Sequence, residues 1–161
     1  MPNSERAFTL QDEVLKFNGE AKPDPWWVPG QPITSSQRYK KRDKYHCWKV
    51  SVACAVKETR KHRRCPAYRY AITLQFRFCE RQHPDHEGDL DNYVKPVLDG
   101  LAAGLFLCND KDPRELPRGK WTKAEGVDDS GFRTLLIRHL YVNSKEEEGV
   151  CIFVSSTGKG A

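Results

Sequence analysis

The chain has 161 residues, a net charge of +5 and 38% hydrophobic residues, enough for one ordinary domain with a packed core. No run approaches the ~18–20 apolar residues of a membrane span, and the N-terminus lacks the apolar core of a signal peptide, so a soluble, cytosolic protein is expected. The six cysteines, Cys47, Cys54, Cys65, Cys79, Cys108 and Cys151, form no CxxC pair, which speaks against structural zinc and for reduced, mostly buried thiols.

Residues 1–25 are polar and broken by "GEAKPDP", an N-terminal extension with room for a short strand at Val14–Phe17. "WWVPGQPITSSQ" starts as a strand, and Pro29 and Pro32 make it an edge strand or its end. Trp26 and Trp27 are expected in the core or at a dimer interface. From Asp43 to Lys61 the pattern is helical: Tyr45, Trp48, Val52 and Val56 form one apolar stripe, and Cys65-Pro66 ends the helix. "YRYAITLQFRFCE" alternates, with Tyr70, Ile72, Leu74, Phe76 and Phe78 on one face, and predicts a half-buried strand over Tyr68–Glu80. After a polar loop, Val94, Val97, Leu98, Leu101, Ala102 and Leu105 predict a second helix, with Pro96 tolerated in its first turn. Cys108–Gly126 is irregular, long for a loop in a compact domain. "FRTLLIRHLYV" is a strand over Phe132–Val142, "SKEEEG" a turn and "VCIFVSS" the closing strand, leaving residues 156–161 as a flexible tail.

The basic excess is uneven. From Arg38 to Arg64 there are eleven lysines and arginines against two acids, Asp43 and Glu58, with Tyr39, Tyr45 and Trp48 among them. Arg38, Lys40, Lys41, Arg42, Lys44, Lys57, Arg60, Lys61 and Arg64 are candidate contacts to a nucleic-acid backbone, whose binding would be salt-dependent. A solvated charged helix face explains the same residues.

The acids gather elsewhere, in "GDLDNYVKPVLDGL". Asp89 and Asp91 are two apart at the end of a loop, and side chains so spaced point to the same side of extended backbone. Such a pair can share a hard cation such as Mg²⁺. Lys95 and Asp99 are four apart on the following helix and share a face. Asp128-Asp129 precede a later strand; if it runs beside the first, a third carboxylate joins the pair. Three aspartates and a lysine suit metal-assisted phosphodiester hydrolysis. Spacing alone favours a plainer reading, in which Asp89 or Asp91 caps the helix and Lys95–Asp99 is a surface pair. His83 and His86 flank the motif without an expected role as ligands to a hard cation.

"DLDNYVKPVLDGL", followed later by "DDSGFRTLLIRHL", resembles the RusA-type Holliday junction resolvases. Asp89, Asp91, Asn92, Lys95, Asp99 and Leu101 match their D-x-D-N-x-x-K-x-x-x-D-x-L motif, and Asp128, Asp129 and Ser130 their paired-aspartate motif. The resemblance spans residues 26–155. It implies an α/β (α+β) fold, a small mixed sheet with two main helices, assembled as a homodimer. It also implies Mg²⁺-dependent cleavage of four-way DNA junctions in recombination and repair, with Mn²⁺ as a possible substitute. Carried over, Asp89, Asp91 and Asp129 are metal ligands and Lys95 the catalytic cation, with Asn92, Asp99 and Asp128 in support. The chain departs from the family by the long Cys108–Gly126 stretch, which leaves Asp110 as a fallback for the third acid, and by Gly131 where glutamine is common. Arg114, Arg118, Lys120, Trp121 and Lys123 in that stretch either reach DNA or form a mobile solvent loop. The alternatives to the nuclease are a DNA-binding module without catalysis, or a nuclease on another branched or RNA substrate.

Overall fold

The computed structural model describes residues 24–35, 42–79 and 90–159. The expected strand at Val14–Phe17 lies outside them, as do Arg38, Lys40, Lys41, His83, His86 and Asp89. Six main elements follow in the expected order: β1 (Asp24–Pro29), α1 (Arg42–Thr59), β2 (Tyr68–Cys79), α2 (Val94–Phe106), β3 (Phe132–Val142) and β4 (Gly149–Lys159). This is a mixed α/β chain with a four-stranded sheet and two main helices among the described residues. It divides into two compact units. One contains β1 to β4; the other contains α1, α2 and the stretch between α2 and β3.

In the sheet the order is β1-β4-β2-β3. β4 runs antiparallel to both β1 and β2, and β3 is parallel to β2. β1 is an edge strand, which its prolines require, because Pro25 and Pro29 have no N–H to give a second neighbour. β2 differs from its expected half-buried state: every residue from Tyr70 to Cys79 is buried. Its apolar face pairs Ile72 with Val154, Leu74 with Ile152 and Phe76 with Val150. The face read as the solvent side holds Thr73, Gln75 and Arg77, and these are buried as well. Arg77 is accommodated by a stacking contact, its guanidinium 5.0 Å from the Trp27 ring centroid, and by donating from Nε to Gln75 Oε1 at 3.4 Å. Beside them the buried Cys151 thiol is pushed up to about 11 by desolvation, against the pull of Arg77. Alternation reports which side chains share a face; it does not report whether the second face is covered.

β4 continues through Gly158 and Lys159, which pair with Arg69 and Tyr68, so the expected tail is strand as far as Lys159. β3 is the other edge, and Leu135, Leu136 and Tyr141 on it are exposed at 42%, 38% and 46%. The thiols also depart from expectation: only Cys79 and Cys151 are buried, while Cys47, Cys65 and Cys108 are exposed.

In the helical unit the predicted stripes are buried, Tyr45, Trp48, Val52 and Val56 on α1 and Val94, Val97, Leu101, Ala102 and Leu105 on α2, except that Leu98 is only half-buried. The helices touch through glycines. A Cβ on Gly100 would lie 2.7 Å from the Lys49 carbonyl oxygen and from Val52 Cβ, and one on Gly104 would lie 2.6 Å from Val56 Cβ. A guanidinium then closes the α2 C-terminus, where carbonyls lack intrahelical partners. Arg60 Nη1 donates to the Gly104 and Leu105 carbonyls, each at 2.7 Å, and Nη2 donates to the Leu107 carbonyl at 2.8 Å and to Asn109 Oδ1 at 2.9 Å. Arg63 Nε adds a bond to the Phe106 carbonyl at 2.6 Å. No helix among the described residues is long and apolar enough to cross a membrane.

Two stability predictions follow from this packing. Gly104→Ala gains about 1 kcal/mol of helix propensity but overpacks against Val56, a change that costs typically about 1–3 kcal/mol and more at so short a contact. The net effect is destabilising, read as a lower urea midpoint. Arg60→Ala strands several carbonyls and lowers stability by about 2 kcal/mol, whereas Lys61→Ala, on an exposed residue, leaves the midpoint within about 0.5 kcal/mol.

Candidate acid–lysine site

The motif opens with a 3-10 turn at Leu90–Tyr93, and α2 begins at Val94. Asp91 therefore lies in tight helical backbone, so the same-side argument for extended chain does not apply to it; Asp89 lies outside the described residues. Neither does Asp91 cap the helix. The N-cap position is Tyr93, and no side chain there accepts a hydrogen bond from the first turn. Asp91 is exposed on the turn. The turn itself is tied back by Ser35, whose hydroxyl donates to the Asn92 carbonyl at 3.0 Å.

At the second residue of α2, Lys95 Nζ donates to Asp99 Oδ1 at 2.8 Å and to Asp129 Oδ2 at 3.5 Å. The first contact is the expected i, i+4 pair, but not a surface one: the Asp99 side chain is only 13% exposed, against 54% for Lys95. The second brings in an acid from 34 residues further along the chain. Burial draws the Lys95 pKa down, yet the hydrogen bond and charge of Asp99, reinforced by Asp129, outweigh it and hold the ammonium above the usual lysine value.

The paired aspartates divide their tasks. Asp128 Oδ1 accepts the Ser130 backbone N–H at 3.0 Å. Its hydrogen bonds with Ser130, opposed by slight burial, hold that carboxyl below the usual range. Asp128 thus builds the turn, and Asp129 faces Lys95. Asp110 lies elsewhere: it lines a pocket with Cys54, Lys57 and Glu58. Lys95 is the second residue of α2 and Asp110 follows its far end, with roughly 16 Å of helix between them. Among the described residues, no group of three His, Cys, Asp or Glu side chains is placed to hold a metal ion.

The basic segment divides too. Arg42, Lys44 and Lys61 are exposed. Lys57 donates to the Asn109 carbonyl at 3.2 Å, the Arg64 backbone N–H to the Leu105 carbonyl at 2.9 Å, and Arg60 is turned onto the end of α2 as described. Part of the charge read as a nucleic-acid face thus holds the helices together.

Sequence reasoning missed Lys49. It is 3% exposed, its Nζ lies 4.0 Å from the Trp121 ring centroid, and it donates to the Gly119 carbonyl at 3.2 Å. The available signal was its position: Lys49 follows Tyr45 by four residues and precedes Val52 by three, which places it on the apolar stripe. Trp121 is likewise buried, at 4%, and so is not held out to stack on a base. His46 meets Trp121 edge to face, ring centroids 6.1 Å apart.

No protein-family model matches the chain, and no curated protein or solved structure matches it.

His46 makes stability depend on pH. Its pKa is lowered from the ordinary 6.5 by burial, then by Lys49 and Arg118, with Asp43 opposing. Folding favours the neutral imidazole, so this contribution is whole above pH 6.5 and is lost as pH falls through the lowered folded-state value. The melting temperature is expected to fall between pH 7 and pH 5, and His46→Phe, which cannot protonate, to show a smaller fall.

Proposed function

We propose that the chain is a Mg²⁺-dependent, structure-selective DNA endonuclease that cleaves four-way junctions in recombination and repair and acts as a homodimer. The observation that supports this most is the meeting of Asp99 and Asp129 on Lys95, one turn after the exposed Asp91, in a chain whose net charge is +5. Charged groups from separate segments gathered at one place are costly unless they serve a ligand or each other.

The donor chemistry fits a hard cation, since the carboxylate oxygens of Asp91 and Asp129 are the ligand type magnesium takes. Asp89 joins them by the family resemblance, and Mn²⁺ accepts the same donors. When bound, the ion lowers the pKa of a water and neutralises charge on the phosphate. Lys95 stays protonated at neutral pH and offers its ammonium to the charge that develops on the phosphorane or the leaving oxygen. Asp99 orients that ammonium, and Asp128 fixes the turn that carries Asp129. Exposed Arg42, Lys44 and Lys61 hold the DNA backbone and position it without reading sequence. A second copy would find its place on the exposed edge of β3, and a two-fold dimer suits the two-fold symmetry of a four-way junction.

Cleavage of a synthetic four-way junction with Mg²⁺ tests the proposal, with a matched linear duplex as control. The native chain should cut the junction and spare the duplex. Asp91→Asn and Asp129→Asn should each lose at least about 10²-fold in cleavage while binding the junction equally or more tightly, because removing an acid near phosphate favours binding. Undiminished cutting by both variants would refute the mechanism; binding without cutting by the native chain would make it a DNA-binding module.

A further inference from the structure

The stretch between α2 and β3 is held down at its middle. Lys49 on α1 holds it from beneath, with its ammonium 4.0 Å from the Trp121 ring centroid and 5.4 Å from that of Tyr45, and its hydrogen bond to the Gly119 carbonyl. Trp121 Nε1 donates to the Pro117 carbonyl at 2.7 Å, and Arg118 pairs with Asp43 at the start of α1. From there the chain is rigidly specified. Thr122 and Glu125 form a capping box around the 3-10 turn Lys123–Glu125, and Gly126 ends it in the left-handed region at φ 89°. Val127 is buried, and the next residues are Asp128 and Asp129. The anchored segment thus delivers the carboxylate that meets Lys95.

The anchor is an unusual choice. Among the described residues no carboxylate touches the Lys49 ammonium; burying it costs stability that an apolar side chain would not, and burial lowers the Lys49 pKa in keeping with that cost. Asp99 and Lys95 act on the same ammonium through their charges. Two faces of aromatic rings and one carbonyl offset part of the cost and define a single geometry, which an apolar contact of the same size would not.

We propose that Lys49, with Tyr45 and Trp121, is a positioning residue that clasps the Gly119–Trp121 segment to α1 and thereby sets Asp129 against Lys95. Its role in turnover rests on the reading of Asp129 and Lys95 as a nuclease site; its role in geometry does not.

The test compares Lys49→Met, which keeps length and loses charge, with Lys49→Arg, whose guanidinium can stack on Trp121 and donate to the same carbonyl. Two measurements are made on each folded variant: the nuclear Overhauser contact between the Lys95 ε-methylene and the Asp129 β-methylene, and junction cleavage in Mg²⁺. Lys49→Met should melt no lower than the native chain yet lose the Lys95–Asp129 contact, and its kcat should fall about tenfold or more with KM unchanged. Lys49→Arg should restore both. If Lys49→Met unfolds, Trp121→Leu breaks the same clasp and is read the same way. Persistence of the contact in the Met variant overturns the proposal. If the native chain cuts no junction, the proposed function falls and the Overhauser contact alone decides the clasp.

Discussion

The distance between α1 and α2 governs the region around Lys95, and two glycines set it. Gly100 lies against the backbone of Lys49 so closely that a methyl group would be 2.7 Å from its carbonyl oxygen. Asp99 immediately precedes that contact, and Lys95 is one turn earlier on the same helix. The close approach of backbones therefore brings the buried Lys49 within electrostatic range of both. Arg60 and Arg63 fasten the far end of α2 by its carbonyls, so the helix is fixed at its middle and at its C-terminus. With larger residues at Gly100 and Gly104, the helices would separate by the width of a side chain, and Lys49 would no longer share the environment of Asp99.

Much of this was legible in the sequence, because it was carried by period. The stripes Tyr45–Trp48–Val52–Val56 and Val97–Leu101–Leu105 gave the helices, and "FRTLLIRHLYV" gave β3 with its observed ends. Edge placement of β1 followed from proline chemistry. The pairing of Lys95 with Asp99 followed from helical spacing. What remained hidden was set by contacts distant in sequence. Nothing local in Thr73, Gln75 and Arg77 reveals that the second face of β2 is covered. Nothing in Trp121 distinguishes a ring offered to a base from one laid over a lysine. The basic run illustrates the same limit: composition counts Arg60 as surface charge, whereas its hydrogen bonds make it a helix cap. Two signals were present and went unread, the spacing of Gly100 and Gly104 by four, and a lysine on an apolar stripe.

The site also shows how a basic chain tolerates a concentration of acids. Lys95 is shared between Asp99 and Asp129, so neither carboxylate faces the other without an intervening cation. The Asp128 charge is stabilised in a different way, by hydroxyl and backbone donors of its own turn. Among the described residues Asp91 has neither arrangement, and it is exposed. The described acids of this site consequently differ in how far their charge is already compensated, Asp91 least of them.

The parallel register of β2 and β3 has a consequence for how the chain reaches this state. Phe132 lies beside Tyr70, 62 positions away, whereas β3 and β4 are separated by a short turn. Ring closure over so many links is entropically slow, but collapse of α1 onto α2 shortens the free contour that must be searched. Until the β2–β3 ladder zips up, the bare edge of β2 and both edges of β3 stand open to intermolecular pairing.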